Sequence, residues 1–211
     1  MTDRAPTARF SDRAGAYSVH RPGYPDAVFD ALFEGLGEPR ALVVADVGAG
    51  TGISTTLLAE RAAKVIAVEP NASMRERAAP AANVQWTGGT AEQTGLPDNS
   101  VDVAAAFQAF HWFDPAVAFE EFARIARRRV ALVQYERDET HPFSAAYTAT
   151  IRPFMLDETE RLRMQTLEAF ANLAGEKLRR AVVPASQTLT LDGVLGRIAS
   201  SSYLPKTGER A

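Results

Sequence analysis

Up to Tyr135 the chain repeats one pattern: a short apolar run, a turn signal, then a stretch with helical spacing. Ala41 to Val47, almost continuous in Ala, Leu and Val, predicts a strand buried on both faces. Glycines at 48, 50 and 52 turn the backbone, and Ile53 to Arg61 resumes as a helix. Lys64–Glu69, Val84–Thr87, Val101–Phe107 and Val130–Tyr135 predict four further strands. Among the connections, Asn71–Ala79 predicts a helix, and Thr90-Ala91-Glu92-Gln93 fits a capping box, the signature of a helix start. Asp114-Pro115 opens a helix running to about Arg127, with aspartate as cap and proline in the first turn. Upstream, Val28, Phe29, Leu32 and Phe33 form the apolar face of a helix over Asp26–Glu34, closed by Gly35 and Gly37.

Alternating strands and helices imply parallel strands joined by right-handed crossovers, a doubly wound α/β sheet with helices on both faces. After Tyr135 the rhythm changes. His141–Phe154 and Asp157–Leu178 predict helices, the second with Leu162, Leu167, Phe170 and Leu178 as core positions. Gln187–Leu191 alternates as a strand would, and Asp192–Ser202 predicts a last short helix. The expected organisation is one domain over 1–211: an N-terminal lid segment over 1–25, a ligand-binding core over 26–135, and a helical cap with a C-terminal segment over 136–211.

Composition removes several chemistries. With no cysteine, disulfides, thiolate metal sites and cysteine nucleophiles are excluded. The three histidines have no ligand-like spacing with carboxylates, so no metal site is expected. A net charge of −3 without strong clustering argues against a nucleic-acid surface, and Arg127–Arg129 reads as a solvated helix end. The polar N-terminus carries no secretory signal, and no apolar run reaches the roughly 20 residues of a membrane helix. A cytoplasmic protein, monomeric or homodimeric, is expected.

The glycine turn places backbone N–H groups and a helix N-terminus at the carboxyl end of a strand, where an α/β sheet receives a nucleotide-like ligand. Its spacing is G-x-G-x-G rather than G-x-G-x-x-G, with Ile53 where the third glycine of a dinucleotide motif would stand. Glu69, at the end of the second strand, can accept hydrogen bonds from both hydroxyls of a ribose. Pro70 and Met74 follow it and are placed to pack on an adenine face, with core packing the other reading for Met74. No G-x-S-x-G elbow exists for serine catalysis, and Ser54 falls at a helix start.

The segments ADVGAGTG, VEPNASM, TAEQTGLPDNSVD and FQAFHWFD, in this order, resemble the motifs of class I S-adenosylmethionine-dependent methyltransferases. They are similar in particular to the small-molecule branch called methyltransferase type 11 or trans-aconitate-methyltransferase-like. FSDRAGAYSVHRPGYP and LDGVLGRIASSSYLP also resemble segments of that branch. The resemblance implies a Rossmann-like fold with S-adenosyl-L-methionine as cofactor and S-adenosyl-L-homocysteine as product. Gly48, Ala49, Gly50 and Gly52 would form the loop beneath the methionine part and ribose, and Asp46 would order that loop or reach the cofactor's amino group through water. Glu69 would hold the ribose, Pro70 and Met74 would flank adenine, and Thr90, Ala91 and Glu92 would meet the adenine edge. Gln108 would lie beside the methionine moiety. Tyr17 and Arg21 would close over the cofactor, Arg21 pairing with a carboxylate or standing as a surface arginine.

Because the donor is already activated, the expected mechanism is in-line displacement on a small-molecule acceptor, achieved mainly by positioning. His111 is either the base for a hydroxyl acceptor or part of the pocket lining. Trp112, Phe113 and Tyr135 are candidate pocket walls, with core packing as the alternative. The competing functions are a cofactor-binding protein of this fold without transfer activity and an NAD-dependent oxidoreductase. Relatives finish the sheet with an antiparallel hairpin in the order 3-2-1-4-5-7-6. Here Gln187–Leu191 can supply a sixth strand but no stretch supplies a seventh, so the strand-five end of the sheet is expected to be irregular, covered by another chain, or partly mobile.

Overall fold

The computed structural model describes residues 23–155, 159–199, 201 and 204. Five strands form one wholly parallel sheet: β1 Val43–Val47, β2 Lys64–Val68, β3 Val84–Thr87, β4 Val101–Phe107 and β5 Ala126–Val133, in the order β3-β2-β1-β4-β5. The chain winds outward from β1 in one direction, then returns to β4 on its other side. That reversal leaves a crevice above the carboxyl ends of β1 and β4, where this kind of sheet binds its ligands.

The helices are α1 Asp26–Phe33, α2 Ile53–Ala59, α3 Ala72–Arg75, α4 Pro115–Ile125, α5 Pro142–Ile151, α6 Thr159–Ala174 and α7 Leu191–Ala199. Strand alternation divides the core between two faces. Val44, Val65, Val103, Ala105 and Phe107 pack with Phe29, Leu32 and Phe33 of α1 and Leu58 of α2. Ala45, Val47, Ile66, Val68, Ala104 and Ala106 pack with Phe122 and Ile125 of α4 and Phe170 of α6. β1 and β4 are therefore apolar on both sides, as their continuous hydrophobic runs require. Among the described residues, no helix is long and apolar enough to cross a membrane.

Several local expectations are corrected. α3 is one turn long, capped by the Asn71 side chain accepting from Ser73 N–H at 3.0 Å, and the chain continues as single turns to Ala78. No helix starts at Thr90. Thr90 Oγ1 does accept from Gln93 N–H at 3.1 Å, but Thr94 N–H and Oγ1 both donate to Glu121 Oε1 of α4, at 2.8 and 2.5 Å. The N–H that would continue a helix is thereby diverted. Gln187–Leu191 forms no strand. Thr190 instead caps α7, its hydroxyl accepting from Gly193 N–H at 3.1 Å, a local bond that competes with extended pairing. Leu178, expected in the core, is 38% exposed. Among the described residues the sheet has neither a sixth nor a seventh strand, and β5 is its edge.

The basic run is also corrected. β5 begins at Ala126, so Arg127–Arg129 is strand rather than solvated helix end. Arg127 pairs with Asp102 at 3.0 Å, and the same carboxylate accepts from Val43 N–H at 2.9 Å. Arg128 donates to Leu36 O at 2.7 Å. Arg129 donates to Leu32 O at 2.5 Å and Glu34 O at 2.8 Å, closing the open carbonyls at the end of α1. Arg129→Ala should therefore lower stability by about 1–3 kcal/mol, as expected for losing charged hydrogen bonds to carbonyls. Arg128→Ala, with one carbonyl, should cost less. Urea unfolding midpoints test this, and equal, negligible effects would return the run to a solvated surface.

Candidate functional site

The site starts from register. Val47 pairs with Val68, so the residues after each strand emerge side by side. Gly48 and Ala49 N–H both donate to Val68 O, at 2.8 and 3.2 Å. Glu69 then reaches back: Oε2 accepts from Gly50 N–H at 2.9 Å, and Oε1 accepts from Asn71 N–H at 2.9 Å. One carboxylate thus fixes the glycine turn to the end of β2. Arg75 supports the same corner by donating to Glu69 O at 2.6 Å and Pro70 O at 3.0 Å.

Gly48 is required twice over. Its φ of 75° lies in the left-handed region, and a Cβ there would stand 2.7 Å from Ala109 Cβ and 2.8 Å from the Phe113 ring. The turn can approach the β4 end only without a side chain. Gly52 caps α2 and lies against the Trp86 ring.

Beneath the turn, Asp46 is fully buried. Its Oδ2 accepts from Ser54 Oγ at 2.8 Å and Thr55 Oγ1 at 2.6 Å, tying the end of β1 to the first turn of α2. Its Oδ1 is buried without a hydrogen-bond partner among the described residues. Burial pushes this carboxyl up to about 6, against the two hydroxyl bonds that lower it, and the Glu69 charge adds to the rise. Glu69 is also raised by burial, opposed by the Asn71 and Gly50 N–H bonds and by Arg75.

Above the turn lies a cavity of about 250 Å³. Gly48, Ala49, Gly50, Glu69, Pro70 and Met74 line its β1–β2 side, with Thr90, Ala91 and Glu92 beyond β3. Gln108, Trp112, Phe113 and Tyr135 line its β4–β5 side. Asp46 and Gly52 support the floor without lining it, and Tyr17 and Arg21 lie outside the described residues. His111 is 7% exposed, sits in the 3-10 turn Phe110–Trp112 with its ring 4.8 Å from the Trp112 ring, and is not among the lining residues.

Other residues line the cavity with no role assigned from the sequence: Tyr24, Thr51, Ile53, Ser54, Asn71, Phe107, Ala109 and Arg197. Six of them fall inside the quoted segments, and Ile53 and Ser54 directly follow ADVGAGTG. Tyr24 stacks on Tyr135 with ring centroids 5.1 Å apart, and the Tyr135 hydroxyl donates to Gly23 O. Arg197 arrives from α7, within the LDGVLGRIASSSYLP segment, which gives it no role.

A parallel sheet in this order, with a glycine turn after β1 and a carboxylate at the end of β2, defines a Rossmann-like fold of the class I methyltransferase type. Residues 45–133, from β1 to the end of β5, match the family described as methyltransferase domain. Over those residues the chain is similar to methyltransferase domains. An uncharacterised methyltransferase of Mycobacterium tuberculosis is 45% identical over 134 residues, 62% of this chain and 53% of that protein. The chain thus spans about half the length of this relative. An uncharacterised methyltransferase-like protein of Schizosaccharomyces pombe is 26% identical over 99% of this chain and 83% of its own length. A solved structure from Anaeromyxobacter dehalogenans, provisionally described as a type II methyltransferase, superposes with a TM-score of 0.64 at 28% identity, covering 87% of this chain and 79% of the other.

The buried Asp46 has a consequence for stability. Its carboxyl titrates near 3.8 in the unfolded chain and about 6 in the folded one, so between these values the folded state binds the proton more tightly. Its contribution to stability therefore falls as pH rises through that window and is constant above it, a change of roughly 3 kcal/mol. Asp46→Asn removes this one dependence. Urea-derived stabilities measured across the window should show the variant gaining on wild type as pH rises, and parallel curves would contradict the buried-carboxyl assignment.

Proposed function

We propose that this chain binds S-adenosylmethionine in the cavity over the glycine turn and transfers its methyl group to a small-molecule acceptor. The observation that carries the reading is the Glu69 carboxylate, which lines the cavity and is held at both oxygens by backbone N–H groups. Each oxygen keeps a lone pair for the vicinal hydroxyls of a ribose. Pro70, Met74 and Ala91 offer apolar surface to adenine, and Thr90 and Glu92 offer polar atoms to its edge. Glu92 is itself placed by accepting from Asp114 N–H at 2.9 Å. The glycine turn leaves backbone exposed where the ribose and methionine part would pass, with Asp46 holding the turn from below.

When bound, the cofactor supplies a methyl group already activated on a sulfonium. The residues of the chain then need only orient the acceptor and exclude water. Trp112, Phe113 and Tyr135 suit this task on the β4–β5 side, and Gln108 adds a polar group among them. His111, packed behind Trp112, serves this reading as a base only if the acceptor reaches past the indole, and otherwise as support for the wall. Tyr17 and Arg21 enter as lid residues on the motif resemblance alone. Binding without transfer is the main competitor, because the chain spans only part of its mycobacterial relative.

Titration calorimetry with S-adenosylhomocysteine should give binding, and Glu69→Ala should weaken it by about 1–3 kcal/mol, the range for lost hydrogen bonds to a charged group. Preferential binding of NADH would sink the reading. Methyl transfer to any member of a metabolite panel separates an enzyme from a binding protein.

A further inference from the structure

Gln108 stands at the carboxyl end of β4, in the cavity wall, with a φ of 55° that side chains seldom adopt. Its N–H donates to Val133 O at 2.9 Å, which fixes the backbone against the end of β5. The two ends of its carboxamide differ in environment. Oε1 accepts from Arg163 Nη2 at 3.4 Å, whereas Nε2 is buried and makes no hydrogen bond among the described residues. A buried donor left unpaired is costly, and beside a cavity it points to an oxygen supplied by a ligand.

Arg163 belongs to α6, in the cap, and the same Nη2 also donates to Tyr135 O, just past β5. A guanidinium carries only donors, so it can face only the oxygen of an amide. Its position therefore decides which end of the Gln108 carboxamide is left for the ligand. Charge along the cavity adds a direction. Among the described residues, the two carboxylates that line it, Glu69 and Glu92, follow β2 and β3, while the one lining guanidinium is that of Arg197 from α7. An adenosine end suits the first side, and the carboxylate of an amino-acid end suits the second.

We propose that Arg163 is a positioning residue that turns the Gln108 carboxamide so that its Nε2–H donates to the carboxylate at the amino-acid end of the bound cofactor. The inference rests on the adenosyl reading above and assigns to a cap residue a role that no motif carried. It couples the cap to the donor side of the site: α6 must be docked for Gln108 to present a donor instead of an acceptor.

The test compares two probes on the 211-residue chain by titration calorimetry: S-adenosylhomocysteine and 5′-methylthioadenosine, which keeps the adenosine and the sulfur but lacks the amino-acid end. Arg163→Met and Gln108→Glu should each weaken S-adenosylhomocysteine by about tenfold or more and 5′-methylthioadenosine by less than about twofold, the scale of one charge-assisted hydrogen bond. Gln108→Glu still offers Arg163 an oxygen, so it should keep the wild-type melting temperature while losing the donor, which a merely structural role would not predict. Arg163→Lys should restore part of the loss, and it carries the same comparison if Arg163→Met does not fold. Equal weakening of both probes, unchanged affinity for S-adenosylhomocysteine, or wild-type affinity no better for it than for 5′-methylthioadenosine would overturn the proposal. Wild-type binding of neither probe would overturn the adenosyl reading itself and this proposal with it.

Discussion

The site depends on the hydrogen bond from Gly50 N–H to Glu69 Oε2, at 2.9 Å. It joins two loops that follow different strands, and it exists only because β1 and β2 run parallel with Val47 opposite Val68. A slip of one residue would turn the side-chain pattern of either strand inside out and carry Glu69 away from the turn. Register is held by burial on both faces: Val44, Val47, Val65 and Val68 are each fully buried. The apolar core thus acts on the site indirectly, by fixing which backbone N–H meets which carboxylate.

That arrangement brings two carboxylates, Asp46 and Glu69, close to one glycine turn, and each raises the cost of charging the other site. The protein offsets this with donors rather than cations near Asp46: two hydroxyls, from Ser54 and Thr55, converge on one oxygen. Glu69 is offset by two backbone N–H groups, with Arg75 bonded to the adjacent carbonyls. Hydroxyl and amide donors are short and fixed by the backbone, so they hold the turn without filling the cavity above it. A long cationic side chain in the same place would have occupied the space that the glycines leave open.

What could be read in the sequence follows from how local each signal is. β3 and β4 appear at their predicted limits, β4 as a strand buried along its whole length and β3 as a half-buried edge strand. The turn, Glu69 and the Asp114 cap are legible because each is a local signal. Arg127–Arg129 was not, since three adjacent arginines look solvated until the end of α1 supplies open carbonyls from about a hundred residues upstream. Thr90 carries a capping-box signature that Glu121 overrides from a different helix. Gln187–Leu191 has strand alternation, but a strand needs an edge to pair with, and Thr190 is already engaged in capping α7. Arg163 lies in no quoted segment and Arg197 in one that gives it no role, so neither the Arg163 contact with Gln108 nor the arrival of Arg197 at the cavity was legible.

The boundary between legible and illegible parts coincides with a division of labour. On the β1–β2–β3 side the motif residues present backbone, glycines and carboxylates to the cavity, whereas on the β4–β5 side the motifs supply Gln108, Trp112 and Phe113 but not their partners. Chemistry of the first kind needs particular residues at particular spacings and so leaves a pattern. The β4–β5 side is built by side chains from α6, α7 and the segment before α1, converging on Gln108, Trp112 and Tyr135. Tyr24 stacking on Tyr135, and Arg163 reaching both Tyr135 O and Gln108 Oε1, join three separate stretches at one wall. A wall assembled from distant stretches can be rebuilt without disturbing the turn. β5 is the sheet edge among the described residues, and Gln108 N–H bonded to Val133 O with Arg163 bonded to Tyr135 O ties its end to β4 and α6. The shape of that wall and the packing of the β5 end are therefore physically linked through the same few side chains.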